Sequence, residues 1–182
     1  FANYWVHNGF VTFNKEKMSK SLGNIITISD AVKKYTGQVV RLALLSAHCS
    51  QPLDWNDELL SNQKNTLDKW YNLYQEQKNY ETLDATDILL DDLNTPGFIA
   101  KIHELYNQAN NGDSDKKLLF NSACRFIGLF NISKTEWQNL KKKQIKISEE
   151  YIESKIEERI KAKNTGNYDI ADKIREELSN AG

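Results

Sequence analysis

The chain has 182 residues, 40% hydrophobic and 27% charged, which excludes a disordered chain and gives enough length for one large folded unit or two small ones with real cores. A formal net charge of -1 excludes a globally basic nucleic-acid binder, so a polyanionic partner would have to meet a local patch. Cys49 and Cys124 stand singly, without CxxC or Cys/His spacing, so neither a disulfide framework nor a metal site is indicated in this chain, and a reducing, cytoplasmic setting is expected.

Strand character is confined to residues 1–28, where aromatic and β-branched residues gather around Asn8-Gly9, a dipeptide suited to a tight turn. With only 8 Gly and 2 Pro in the chain, the rest reads as helix. Ser29-Asp30 is the expected cap of a short helix closed by Thr36-Gly37. "VVRLALLSAHC", from Val39 to Cys49, is apolar nearly all round and is expected to be buried, with Arg41 its one charge. Gln51-Pro52 breaks it. Asn56, followed by Asp57 and Glu58, caps a helix running to about Gln77, with Leu60, Leu67, Trp70 and Tyr74 on one face.

A helix from about Asp84 is expected to end at "DDLNTP", where Thr95 and Pro96 start the next, which carries Ile99, Ile102, Tyr106 and Ala109 inward and stops at Asn111-Gly112. Lys116 to Phe130 is one more amphipathic helix. The lysine-rich "LKKKQIKISEE" reads as a linker or exposed arm. Last, Ile152, Ile156 and Ile160 are set to face Ile170, Ile174 and Leu178 across Asn164-Thr165-Gly166 in an αα-hairpin. No apolar run is long enough to span a bilayer, so no membrane partner is expected.

The chemistry concentrates in Lys17-Met18-Ser19-Lys20-Ser21, "KMSKS", followed by "LGN". Ammonium groups on flexible stems can follow negative charge as it moves between the oxygens of a reacting polyphosphate. Ser19 and Ser21 add hydroxyl donors, and Gly23 allows a tight turn. Cations placed where charge develops on a departing pyrophosphate stabilise the transition state more than the ground state. Without its flanks, the pentapeptide is equally well an ordinary solvated basic loop.

The flanks narrow the choice. "FANYWVHNGFV", "EKMSKSLGN", "RLALLSAHCSQPLDWNDELL", "DDLNTP" and "IADKIREEL" resemble, in order, the C-terminal half of the cysteinyl-tRNA synthetases, class I aminoacyl-tRNA synthetases. The resemblance implies a mainly α fold: the edge of a Rossmann-type catalytic domain over about residues 1–28, then a helical bundle and a C-terminal αα-hairpin. It implies three regions: 1–50 with the KMSKS loop and connecting helices, 51–140 as the anticodon-binding bundle, and 141–182 as basic linker and hairpin. The implied activity is ATP-dependent activation of L-cysteine to cysteinyl-adenylate and its transfer to tRNA(Cys). Lys20 is then the chief ATP-phosphate ligand, supported by Lys17, Ser19 and Ser21, with Met18 seating the loop. His7 and Trp5 would wall the aminoacylation pocket.

The family's His-x-Gly-His turn and its zinc ligands are not found in these residues, so zinc is expected to be held elsewhere. The chain opens without Met and closes at Asn180-Ala181-Gly182 without a short basic tail; it is expected to be a piece of a larger, monomeric protein and inactive alone. Thr36-Gly37-Gln38 stands where the family usually has an acidic residue and a proline, which weakens the helix-start signal there.

Plainer readings stand beside these. His7 has the alternative reading of a packing histidine near a hairpin turn. Arg41 either braces the bundle through a carboxylate, the favoured role, or reaches a tRNA phosphate. Lys141, Lys142, Lys143 and Lys146 form either a solvated face or an arm touching phosphates. Thr95 and Pro96 are sufficiently explained as a helix start. Two other functions compete: a ligase joining cysteine to a small amine through the same adenylate, against which the long helical region speaks, and a non-catalytic helical module carrying a relic loop.

Overall fold

The computed structural model describes residues 1–77, 86–144 and 148–181. Among these residues the fold is mainly α, with one small sheet near the N-terminus. Two compact units divide at 134/135.

In the first unit, β1 (Val11–Phe13) lies at the centre of a three-stranded sheet, flanked by β2 (Glu16–Lys17) antiparallel and β3 (Leu53–Trp55) parallel. The hairpin turn is Asn14-Lys15, both residues at positive φ (49° and 68°), as a two-residue turn between twisted strands requires. Asn8-Gly9 is not a turn; the Gly9 N–H donates to Cys49 O at 2.8 Å, just ahead of the β1–β3 pairing. Strand β3 corrects the expectation that everything after residue 28 is helical.

Helix α1 (Ile28–Lys34) is capped by Thr27, whose hydroxyl accepts from Asp30 N at 3.1 Å and donates to the Asp30 carboxylate at 2.6 Å. The cap is therefore Thr27 and not Ser29. Thr36, read from sequence as the end of that helix, opens α2 (Gly37–Leu45) instead, accepting from Val39 N. The departure at Thr36-Gly37-Gln38 thus carries its own start signal. Helix α2 is shorter than expected and one-sided: Gln38, Val39, Val40, Leu42 and Ala43 are buried, while Leu44 and Arg41 are exposed.

Helix α3 (Asp57–Leu73), capped by Asn56 as expected, buries Leu60, Leu67, Trp70 and Tyr71. It ends before Gln77, and Tyr74 is half-buried just beyond it. The expected start near Asp84 lies outside the described residues; α4 (Thr86–Leu90) leads into α5 (Thr95–Asn110). Asn94, not Thr95, caps α5, accepting from Gly97 N at 2.9 Å. The inward stripe of α5 is Phe98, Ile102, Leu105 and Ala109, one position off the expected Ile99 and Tyr106, which are half-buried at its border.

Helix α6 (Ser114–Phe126) stops four residues short of Phe130. Gly128 takes φ +77°, its N–H bonds Arg125 O, and the Leu129 N–H bonds Cys124 O: a Schellman cap that turns the chain back over the core. Trp70, Phe120, Tyr71 and Phe130 make the aromatic centre, Trp70 edge-on to Phe120 at 5.8 Å and Tyr71 edge-on to Phe130 at 4.9 Å.

The loop after α6 is gripped by α2. Phe130 N donates to Gln38 Oε1 at 2.7 Å and Gln38 Nε2 donates to Tyr71 Oη at 2.8 Å, all buried. One turn on, Arg41 Nε donates to Ile127 O at 2.5 Å. Arg41 braces the bundle through a carbonyl, not the carboxylate expected.

The second unit begins within α7 (Lys134–Gln144). The lysine run read as an arm is helical as far as Gln144: Lys141 and Lys142 are exposed on α7, and the side chain of Lys143 lies outside the described residues, as does Lys146. Helices α8 (Glu149–Asn164) and α9 (Tyr168–Ala181) form the hairpin, with Ser148 as the α8 cap. Its seam is Ala162, Ala171 and Ile174, with Arg159 Nε donating to Ala171 O and Tyr151 Oη to Glu177. Ile156, Ile160 and Ile170, expected inside, are about half exposed; the buried seam runs through the alanines beside them.

Candidate functional site

Of the KMSKS residues Lys17 ends β2, and the others follow it directly and return the chain towards α1. What fixes their origin is Asp54 on β3. Its carboxylate accepts from Thr12 Oγ1 (2.7 Å), from Lys15 N in the hairpin turn (2.6 Å) and from Asn56 Nδ2 (2.9 Å). The Lys15 N–H first, and the Thr12 hydroxyl next, hold the Asp54 carboxyl below the usual carboxylate range. One side chain thus ties β1 and the hairpin turn to β3.

Within the loop, Lys17 lies with its ammonium 5.2 Å from the centre of the Phe10 ring. Met18 is half-buried and lines an apolar cavity of about 230 Å³ with Val11, Ala31, Val40, Leu44 and Trp55. Ser19 is held inside the loop: its N–H donates to Asn24 Oδ1 at 2.8 Å, its Oγ accepts from Leu22 N at 3.3 Å, and the Ser19 and Ser21 hydroxyls are 3.2 Å apart. Asn24 Nδ2 donates in turn to Lys17 O at 3.3 Å. Gly23, at φ +63°, closes the turn with its N–H on Lys20 O at 3.3 Å.

Lys20, Ser21 and Gly23 are exposed at the tip, and Lys20 has no ion-pair partner among the described residues. Two ammonium groups and a hydroxyl on an otherwise tied-down turn, backed by an apolar seat, suit a multiply charged oxyanion ligand.

The structure therefore brings Lys17, Met18, Ser19, Lys20 and Ser21 together. His7 and Trp5 lie exposed on the segment before β1 and hydrogen-bond to nothing among the described residues. Arg41 is engaged at Ile127 O, and Lys141 and Lys142 belong to the other compact unit. Sequence reasoning missed Asp54 and the role of Asn24. Both lie in quoted motifs, but Asn24 bonds backbone groups and Asp54 bonds Thr12 and Lys15 about forty positions away, which no residue pattern displays. "DDLNTP" proves to be a clamp: Asp92 and Leu93 take positive φ, and His48 Nε2 hydrogen-bonds Asp92 O at 2.7 Å. Among the described residues no group of three or more His, Cys, Asp or Glu converges to hold a metal ion, so these residues do not fit a zinc site; nor is any helix long and apolar enough to cross a membrane.

Residues 1–65, which comprise the sheet, the loop, α1, α2 and the start of α3, match the family model described as tRNA synthetases class I (C) catalytic domain. The similarity over these residues is to the class I aminoacyl-tRNA synthetases. Within that class the chain is similar to the cysteine–tRNA ligases: it is 50% identical to that of Pelagibacter ubique over 100% of this chain and 41% of the relative. It is likewise 42% identical to the Rickettsia bellii enzyme (99% and 40%) and 39% identical to that of Wolbachia pipientis wMel (100% and 42%). The chain spans about two-fifths of the length of the curated relatives it matches.

Proposed function

We propose that this chain is the C-terminal part of a ligase that activates L-cysteine with ATP and transfers it to tRNA(Cys). The observation that carries the reading is the anchored loop with Lys20 and Ser21 exposed at its tip and Lys17 beside them. A cysteine carboxylate oxygen attacks the α-phosphorus of ATP, the bond to the β-phosphate oxygen breaks, and pyrophosphate leaves. Lys20, with Lys17, neutralises charge gathering on the departing phosphates, and Ser21 donates a hydrogen bond to them. Ser19 and Met18 hold the loop in place. A ribose hydroxyl at the end of the tRNA then attacks the acyl carbon and releases AMP.

Residues 1–50 act on the reaction, 51–140 form the anticodon-side bundle, and 141–182 a basic segment with the hairpin. His7 and Trp5 wall the aminoacyl pocket once the remainder of the site surrounds them. The lysines at 141–143 meet tRNA phosphates, whereas Arg41 serves the bundle. Zinc, if the ligase holds it, is bound outside these residues, and the ligase is a cytoplasmic monomer. The similarity along the whole helical region favours this reading over ligation to a small amine.

The test is ATP–pyrophosphate exchange by the full-length ligase. Exchange that depends on cysteine, with charging of tRNA(Cys), supports the reading. Exchange driven by another amino acid, or charging absent while exchange persists, contradicts it.

A further inference from the structure

The loop owes its shape to a residue outside the pentapeptide. Asn24, half-buried, spends both ends of its side-chain amide on the loop backbone: Oδ1 accepts from Ser19 N at 2.8 Å, and Nδ2 donates to Lys17 O at 3.3 Å. These two backbone groups flank Met18, so one amide fixes the chain on both sides of the residue that lines the apolar cavity. Ser19, so held, sets the start of the tip, where its Oγ receives Leu22 N and Lys20 O receives Gly23 N. Lys20 is the next residue after Ser19 and has no ion pair among the described residues to direct it. Its backbone position is inherited from Ser19 on one side and from the Gly23 turn on the other.

We propose that Asn24 is the positioning residue of the phosphate-binding loop, fixing where Lys20 leaves the backbone. This rests on the reading of Lys20 as an ATP-phosphate ligand. An amide suits the task because it must accept from an N–H and donate to a carbonyl at once; a carboxylate lacks the donor and a hydroxyl the reach. Misplacement of a reacting partner by about 1 Å can cost on the order of a hundredfold in rate. Asn24→Ala is accordingly expected to slow adenylation by roughly ten- to a hundredfold, with the KM for cysteine unchanged.

A merely structural role would lower stability and multiply with other defects, whereas the positioning of Lys20 has no effect left once Lys20 is gone. The experiment is a double-mutant cycle on the full-length ligase, Asn24→Ala and Lys20→Ala, read by single-turnover adenylation, with the thermal midpoint and Ser19 amide hydrogen exchange of each variant measured alongside. The expected result is an Asn24→Ala variant that melts close to the parent, exchanges Ser19 faster and adenylates slowly, and a double variant no slower than Lys20→Ala alone within about twofold. Losses that multiply, or a parental rate in Asn24→Ala beside a slow Lys20→Ala, would overturn the role of Asn24 alone. A parental rate in Lys20→Ala would instead overturn the phosphate reading, leaving Asn24 nothing to position.

Discussion

Residues 11–30 and the bundle of α2, α3, α5 and α6 share one compact unit but are held by different forces. The bundle is closed by area: Trp70, Tyr71, Phe98, Phe120 and Phe130 are essentially fully buried, each worth a few kcal/mol against water. In residues 11–30 the backbone is held by the β1 ladders and by polar clips through Asp54, Thr27 and Asn24, with Met18 against an apolar cavity that stays partly open. On the proposed reading the loop admits and releases a triphosphate and so cannot be buried, and its geometry has to come from directed hydrogen bonds. The bundle needs no such precision and gains its stability from packing.

Three changes test that contrast, from the largest effect on stability to the smallest. Trp70→Ala removes a ring that is 1% exposed and packed edge-on to Phe120, and should cost about 3–5 kcal/mol in urea denaturation. At a temperature where the variant remains folded, adenylation by the full-length ligase should be nearly unchanged. A rate loss as large as that of a loop variant would break the separation between the regions.

Tyr71→Phe deprives the buried Gln38 amide of its acceptor and should cost about 1–3 kcal/mol. Burial pushes the Tyr71 hydroxyl up to about 12, above the ordinary tyrosine value of about 10. Because the folded value is the higher one, its contribution to stability is complete below about pH 10 and declines as pH rises towards about 12. Alkaline denaturation curves should show that decline in the parent and a flatter one in Tyr71→Phe.

Asp54→Ala should leave the global midpoint almost where it was and accelerate hydrogen exchange of the Lys15 amide, sharpening the contrast to one turn of chain. The Asp54 carboxyl is held below its ordinary value, so the hairpin clip is complete above about pH 4 and is lost as pH falls through the lower folded value. Protection of Lys15 that persisted unchanged in strong acid would contradict the assignment.

Much of this was legible from residue order, and what was not has physical causes. Helices with a strong apolar period, such as α3, were evident, together with the Asn56 cap. Where several capping residues stood in a row, the start slipped by one or two: Thr27 caps α1 in place of Ser29, and Asn94 caps α5 in place of Thr95. The cap is decided by which residue stays outside the helical dihedrals, a tertiary outcome. Strand β3 is three residues long and exists because β1 pairs with it from about forty positions away, beyond any local period. Polar composition concealed α7, although Trp137 on it is buried. At the site, Lys17, Lys20 and the serines were visible as chemistry, while Asn24 and Asp54 were not, because Asn24 acts on backbone groups of the loop and Asp54 on residues about forty positions away.

The measurement that bears most directly on this account is single-turnover cysteine adenylation by the full-length ligase with Lys20→Ala. The account predicts a rate lower by roughly a hundred- to a thousandfold, with the thermal midpoint unchanged because Lys20 is exposed and carries no packing. A parental rate in a folded variant would contradict it.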